Sequence, residues 1–436
     1  MARITVHPFL KLKANTLKVP GDKSISHRTL LLAALGKSNT IVHNLLLGSD
    51  VLCTKEILKQ LGVSIIEDGT TMQVTGVGLR GLRAASQDLQ CGNSGTAMRL
   101  LTGLLCAQNF QSTLIGDSSL SNRPMKRVLT PLQSMGANIN ARQGEYAPLV
   151  INPVTALRAI QYQLPIASAQ VKSAILFAGL YATGTTSVTE PLPSRSHTEE
   201  MLIDCGVPVE KNGSQVSLLG PVESLQPPKE WTVPNDISSA AFFMMLPTIL
   251  PNTTMTFLNI SISPSRNGIL EFLTKLGTSV TILKKTETTA DVTISFSKLT
   301  EAPISLEART VAQAIDEIPI IAMMAACRNG TTTIRNAQEL RVKESDRIAK
   351  IVECLQAFGF FVREFPDGFL VEGSEKSIPP STVNSGGDHR IAMACVMMAT
   401  RASGPIIIED TDAIVTSYPT FLQDARRLGF ELYEDR

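Results

Sequence analysis

Neither sign of charge predominates in this sequence: 40 basic side chains stand against 39 acidic ones, for a net charge of +1. That balance argues against a nucleic-acid coat and against a membrane-surface protein, while leaving room for a local anion site. Stacking platforms for single-stranded nucleic acid are scarce, with one tryptophan and five tyrosines. The longest apolar stretch, Ala240 to Leu250, contains Pro247 and is too short to span a bilayer. No CxxC pair occurs among the seven cysteines, which are odd in number and lie mostly in apolar helical stretches. We therefore expect buried free thiols, a reducing compartment and no disulfide framework. The start, Met1-Ala2-Arg3-Ile4-Thr5, alternates like a strand and lacks an apolar signal-peptide core, so the expected address is the cytoplasm. A plastid protein without its transit peptide would read the same way. Histidines at 7, 27, 43, 197 and 389 show no metal-ligand spacing, so no metal and no cofactor are expected. GxxxxGK[ST], GxSxG and GxGxxG are all missing, which sets aside P-loop, α/β-hydrolase and Rossmann chemistry.

What is present is a repeat. At 436 residues the chain exceeds what one core usually supports, and two domains are expected. Six times an amphipathic helix ends in glycine and a strand follows: KEILKQLGVSI, VLTPLQSMGANI, TEEMLIDCGVPV, GILEFLTKLGTSV, VECLQAFGFFV and LQDARRLGFEL. The glycines, Gly62, Gly136, Gly206, Gly277, Gly359 and Gly429, are 74, 70, 71, 82 and 70 residues apart. Glycine just past a helix is the usual left-handed cap. A second, more apolar helix with a polar N-terminus accompanies each copy, and most of these are followed by a Thr/Val/Ile-rich strand. Each unit thus reads as buried helix, strand, outer helix, strand, and near-constant spacing distinguishes it from helices that merely happen to end in glycine. The polar, proline-rich segment from Pro221 to Pro234 is the expected boundary. We place the first three-unit domain at 21–230 and the second at 1–20 plus 231–436, with the strand before Pro20 pairing into the C-terminal half.

Basic residues fall beside the buried helix starts and in the loops: Lys23, Arg28, Arg123, Arg195, Lys343, Arg347 and Arg390. Helix N-termini present unpaired N–H groups and partial positive charge, so such a set suits multiply charged anions. Arginine offers bidentate contacts to carboxylate and phosphate, and lysine a point charge that can move a proton. Each residue also has a plainer reading. Arg347 can pair with Glu344 on a helix surface. His27 and His389 can be caps or packed side chains, and Asp316, in VAQAIDEIPIIAMM, can cap a helix or do chemistry. Recurrence at equivalent places in the six units favours a shared site.

The ordered motifs PGDKSISHR, GNSGTAMR, SNRPMKRVLTPLQSMGA, SAQVKSAILFAGL, RVKESDR, GDHRIAMA and TSYPTF resemble the 5-enolpyruvylshikimate-3-phosphate synthase family from about residue 19 to residue 421. The resemblance implies an α/β fold, a two-domain inside-out α/β barrel with three βαβαββ units per domain and its active site in the interdomain cleft. It implies transfer of the enolpyruvyl group of phosphoenolpyruvate to the 5-hydroxyl of shikimate 3-phosphate, in a monomer acting on small molecules. By the same resemblance Lys23 contacts both substrates. Ser24, Arg28, Ser168, Ala169, Gln170, Arg195, Asp316 and Lys343 serve shikimate 3-phosphate. Gly95, Arg123, Gln170, Arg347 and Arg390 serve phosphoenolpyruvate. Asp316 is the implied base, and Glu344, with Lys23, the implied proton carrier at the methylene carbon.

Thr416 stands where many members carry lysine. With SAQVK and RSHTE it resembles in part the second, glyphosate-tolerant class, from which Gly95 and the segment Ser263-Pro264-Ser265-Arg266 depart. Two rival readings remain on the residues. The sister transferase that uses UDP-N-acetylglucosamine usually has Lys-Asn where Lys23-Ser24 stands, and a cysteine in the loop that here reads SLSNRPMKR. A non-catalytic phospho-ligand receptor would need the cations but not Asp316 and Glu344.

Overall fold

All six glycines expected to end helices adopt left-handed backbone, with φ of 91° at Gly62, 99° at Gly136, 80° at Gly206, 88° at Gly277, 87° at Gly359 and 116° at Gly429. A side chain would be strained there, which is why the repeat is punctuated by glycine. The structure, a computed structural model, describes residues 2–435. By its internal contacts the chain divides into two units, Gly21–Val233 and Met1–Pro20 with Pro234–Arg436.

In Gly21–Val233 the helices are α1 (Lys23–Leu35), α2 (Ser49–Gln60), α3 (Gly95–Leu105), α4 (Lys126–Ser134), α5 (Ala169–Gly179) and α6 (His197–Asp204). α1, α3 and α5 are buried around nearly their whole circumference, as expected of helices with little polar face. α2, α4 and α6 bury one side. α3 and α5 approach closely at Gly103, where an added Cβ would lie 2.2 Å from the carbonyl oxygen of Ala174.

The second unit contributes α7 (Ile237–Ile249), α8 (Gly268–Lys275), a short α9 (Ala308–Gln313), α10 (Ile318–Ala326), α11 (Arg347–Ala357), α12 (His389–Met397) and α13 (Phe421–Leu428). Every residue of α7, α10 and α12 is buried. Each unit has its own apolar core around its three buried helices.

Six four-stranded sheets follow one rule. A short strand pairs parallel with a second, which pairs antiparallel with the third, which pairs antiparallel with the fourth. Leu89–Gln90, Ser112–Ile115, Tyr146–Asn152 and Asn138–Arg142 form one example, with α3 as the crossover between the parallel pair. The residue-level reading missed the short first strands because two or three residues, such as Leu89–Gln90 or Ile304–Ser305, carry no periodic signal. Three sheets are completed from far along the chain, one of them by Thr16 and Leu17, which pair with Thr256 and Phe257. Arg3–Val6 lies between Ile406–Glu409 and Leu432–Asp435, so the N-terminal strand does pair into the C-terminal half. Glu230–Thr232 pairs with Ile41, Val42 and His43, which keeps Trp231 and Thr232 with Gly21–Val233 rather than in the segment that begins at 231.

Five of the six buried helices begin with a side-chain cap, from Asp22, Ser94, Ser168, Asp236 and Asp388. α10 departs from the pattern. It begins after Glu317 with no side-chain capping bond and has Pro319 in its first turn, so Asp316 is not a helix cap.

Candidate functional site

The expected site residues fall at helix starts, and each unit gathers its own set. In Gly21–Val233 Lys23 opens α1, and its Nζ lies 3.1 Å from Asp50 Oδ2 in the first turn of α2. Gly95 opens α3. A Cβ there would lie 2.7 Å from Arg99 Nη1 and 3.5 Å from Arg123 Nη1, so the bare glycine lets two guanidinium groups close over the helix start. Arg123 Nη1 donates to the Asn93 carbonyl at 3.2 Å, and Nη2 donates to the Asn93 side chain and to Ser119 Oγ. Gln170, in the first turn of α5, accepts from Arg99 Nη1 at 2.5 Å and donates to Thr96 Oγ1 at 2.9 Å. The starts of α3 and α5 are thereby tied, with Ser168 and Ala169 in the same turn.

Arg28 is buried. Its Nε donates to Thr198 Oγ1 at 2.7 Å, Nη1 to the Ser24 carbonyl at 2.9 Å and Nη2 to Ser173 Oγ at 2.8 Å. One guanidinium thus joins α1, α5 and α6, and Arg195 lies in the loop just before α6. His27 is packed beside it, with Nδ1 2.7 Å from Thr54 Oγ1. Burial, then the charges of Lys23 and Arg28, hold the His27 imidazole well below its ordinary pKa of 6.5.

The second unit assembles Asp316, Lys343, Glu344, Arg347 and Arg390. Arg347, the first residue of α11, is 1% exposed and is surrounded by three carboxylates. Its Nε donates to Asp388 Oδ2 at 2.7 Å, Nη2 to Glu344 Oε2 at 2.6 Å and Nη1 to Asp316 Oδ1 at 3.3 Å. Asp388 is fully buried, whereas Asp316 keeps 14% and Glu344 19% of its side-chain surface open. Lys343 Nζ lies 3.8 Å from Asp316 Oδ1, and Arg390 Nη1 donates to the Asp316 carbonyl at 3.0 Å. Burial alone would weaken the charge on Arg347, but Asp388, Glu344 and Asp316 outweigh it and its pKa rises above the ordinary arginine value. Arg347 therefore pairs with Glu344, as the helix-surface reading allowed, yet it is buried rather than solvated.

Reading the sequence passed over several contributors. Arg99 sits inside GNSGTAMR and Asp388 inside GDHR, and their proximity to the expected residues along the chain was the available signal. Asp50 and the Lys172–Glu190–Glu199 group had no such cue. Among the described residues no three of His, Cys, Asp or Glu are grouped to hold a metal ion, and no helix is long and apolar enough to cross a membrane.

Repeats of this kind, in two units with basic side chains beside their buried helix starts, define a class. The fold matches that of the enolpyruvyl transferase NikO from Streptomyces tendae at TM-score 0.79 and 17% identity, over 100% of this chain and 99% of that one. It is the two-domain inside-out α/β fold of enolpyruvyl transferases. Closer resemblances narrow the class. The family model for EPSP synthase (3-phosphoshikimate 1-carboxyvinyltransferase) matches residues 10–425. A 3-phosphoshikimate 1-carboxyvinyltransferase of Acidithiobacillus ferrooxidans is 46% identical over 441 residues, 99% of each chain. One from Geobacter sulfurreducens is 44% identical over 97% of this chain and 98% of its own. The structure of EPSP synthase from Acinetobacter baumannii superposes at TM-score 0.87 with 40% identity, covering 100% of both chains. This chain belongs to the EPSP synthase family.

Proposed function

We propose that the chain transfers the enolpyruvyl group of phosphoenolpyruvate to the 5-hydroxyl of shikimate 3-phosphate and releases inorganic phosphate, in the synthesis of aromatic amino acids. Family membership over nearly the whole length supports the reaction. The observation that carries the assignment of roles is the Arg347 cluster, in which one buried guanidinium holds two partly open carboxylates side by side.

In this reading the 5-hydroxyl oxygen attacks C2 of phosphoenolpyruvate and gives its proton to Asp316. C3 takes a proton from Glu344, and a tetrahedral intermediate forms. The C2–O bond to phosphate then breaks, C3 returns its proton to Glu344, and the leaving phosphate takes up the proton from Asp316. A well-placed general acid or base contributes ~10²–10⁴-fold. Cations are needed where charge moves to the leaving phosphate. Lys23, Arg123, Arg347 and Arg390, with the bare Gly95 helix start, serve the phosphate and carboxylate of phosphoenolpyruvate. Ser24, Ser168, Ala169, Gln170, Arg195 and Lys343 serve shikimate 3-phosphate. Arg28 serves it by bracing the helix starts that meet it. Glu344 and Asp316 occupy donors of Arg347, so a substrate anion competes with them for the guanidinium and releases a carboxylate for proton transfer.

The protein works as a monomer in the cytoplasm; the seven free thiols are consistent with a reducing compartment. Purified protein mixed with phosphoenolpyruvate and shikimate 3-phosphate, without metal or nucleotide, should release phosphate only when both are present. No release from that pair would overturn the reading. Size-exclusion chromatography with light scattering should give one chain's mass.

A further inference from the structure

Lys172 lies one turn into the apolar helix α5, 2% exposed. Its Nζ lies 2.6 Å from Glu190 Oε2 and 2.7 Å from Glu199 Oε1, carboxylates that are themselves 4% and 1% exposed. An ammonium group and two carboxylates so far from water are costly unless each is paired, and removing one partner leaves a buried charge uncompensated. Burial pulls the lysine pKa down, and the two carboxylates more than reverse this, so it stays protonated.

The places of the partners give the cluster a purpose. Glu190 follows the strand Gly184–Thr189, and its backbone N–H is bonded to the Ser214 carbonyl at 3.0 Å. Glu199 is in the first turn of α6. The loop between them carries Arg195, and Lys172 holds both of its ends. Inside the loop, Ser194 is bonded to Glu190 through its backbone N–H at 3.3 Å and through its hydroxyl. On the other side, the Lys172 N–H donates to the Ser168 carbonyl at 3.0 Å, one turn back at the helix start that bears Ser168, Ala169 and Gln170. The neighbouring Ser173 makes a parallel tie, its Oγ 2.6 Å from Thr198 Oγ1. Two consecutive residues of α5 therefore grip two consecutive residues of α6.

We infer that Lys172, through Glu190 and Glu199, is a positioning residue for shikimate 3-phosphate: it fixes the Arg195 loop in register with the Ser168–Gln170 helix start. The inference rests on the functional reading above. The cluster's ties run to the Arg195 loop and α6 and reach the Gly95 helix start only through Gln170, so its effect falls more on shikimate 3-phosphate than on phosphoenolpyruvate.

Glu199→Met is the informative variant, because it leaves Lys172 and Glu190 as a charge-balanced pair and cuts the tie to α6. In the full-length protein the KM for shikimate 3-phosphate should rise at least tenfold, while kcat and the KM for phosphoenolpyruvate change less than threefold. Tryptic cleavage after Arg195 should speed up at least fivefold. Glu199→Gln keeps an acceptor oxygen for Lys172 and should restore the shikimate 3-phosphate KM to within threefold of the parent. Both KM values unchanged, or both raised together, would overturn the proposal, as would a lowered melting temperature with normal kinetics. Should Glu199→Met fail to fold, Glu190→Met, which leaves Lys172 and Glu199 as the charge-balanced pair and cuts the tie to the other end of the Arg195 loop, reads the loss through the same split. A parent protein that releases no phosphate from this substrate pair overturns the functional reading, and the proposed ligand with it. An active parent with an unaffected variant overturns the positioning role alone.

Discussion

Lys172 and Arg347 do the same thing in two parts of the molecule, and the difference between them lies in their partners. Each is a buried cation that draws carboxylates from separate elements onto one point. Around Lys172 the carboxylates are as buried as the cation, at 4% and 1% exposure, and are out of reach of any ligand. Around Arg347 one carboxylate, Asp388, is sealed and caps α12, while Asp316 and Glu344 stay partly open. A closed cluster can only hold backbone in place. A half-open one can also exchange protons with what arrives. The distinction between fixing and reacting thus rests on the exposure of the carboxylates, not on the identity of the cation.

The largest expected effects break the open cluster. Asp316→Asn or Glu344→Gln should lower turnover ~10²–10⁴-fold with the fold intact, read from phosphate release and an unchanged far-ultraviolet circular dichroism spectrum. Near-normal turnover in either variant removes that residue from the proton transfers. Arg347→Met leaves Asp388 buried without its cation and should cost ~3–5 kcal/mol in denaturant titrations, besides abolishing activity. A variant with parental stability would mean that the three carboxylates are not held through Arg347.

Gly103→Ala perturbs the closed cluster from a distance. The new methyl group would press on the Ala174 carbonyl of α5, the helix that carries Lys172. It should cost ~1–3 kcal/mol and weaken binding of both substrates, because Gly103 lies on α3, which bears the Gly95 helix start. The smallest effect concerns pH. His27 is buried and neutral, with Nε2 unpartnered among the described residues. The unfolded chain takes up a proton there below about pH 6.5, whereas the folded one does so only well below it. Stability is therefore intact above pH 6.5 and falls as the solution is acidified, by up to about 2 kcal/mol at pH 5 from this group. His27→Gln should flatten that part of the stability–pH curve, and an unchanged slope would contradict the assignment.

How far the sequence could be read follows from the range of each interaction. Glycine caps and polar helix starts are local, so the six units and most helix beginnings stood out along the chain. The start of α10 was legible too, at Asp316-Glu317, although it begins with Pro319 in its first turn and no side-chain capping bond. Motif residues such as Gly95, Arg123 and Gln170 lie within a few residues of a helix start, and the structure places them beside the starts of α3 and α5. The Lys172 cluster was illegible for the opposite reason. Its partners are 18 residues away at Glu190 and further still at Glu199, across a strand and a loop. A lysine in VKSAILFAGL carries only the hint that a charge inside an apolar run must be paired. Arg28 shows the same limit. Its type suggested a ligand contact, and only the fold reveals that Ser24, Ser173 and Thr198 engage its nitrogens.

The most direct test is a side-by-side measurement of kcat for Glu344→Gln and Glu199→Gln at saturating phosphoenolpyruvate and shikimate 3-phosphate. Each variant neutralises one carboxylate bound to a buried cation with almost no change in shape. The account predicts a loss of at least ~10²-fold for the first and less than threefold for the second. Equal losses in the two would contradict it, because they would show that exposure of the carboxylate does not separate the reacting cluster from the holding one.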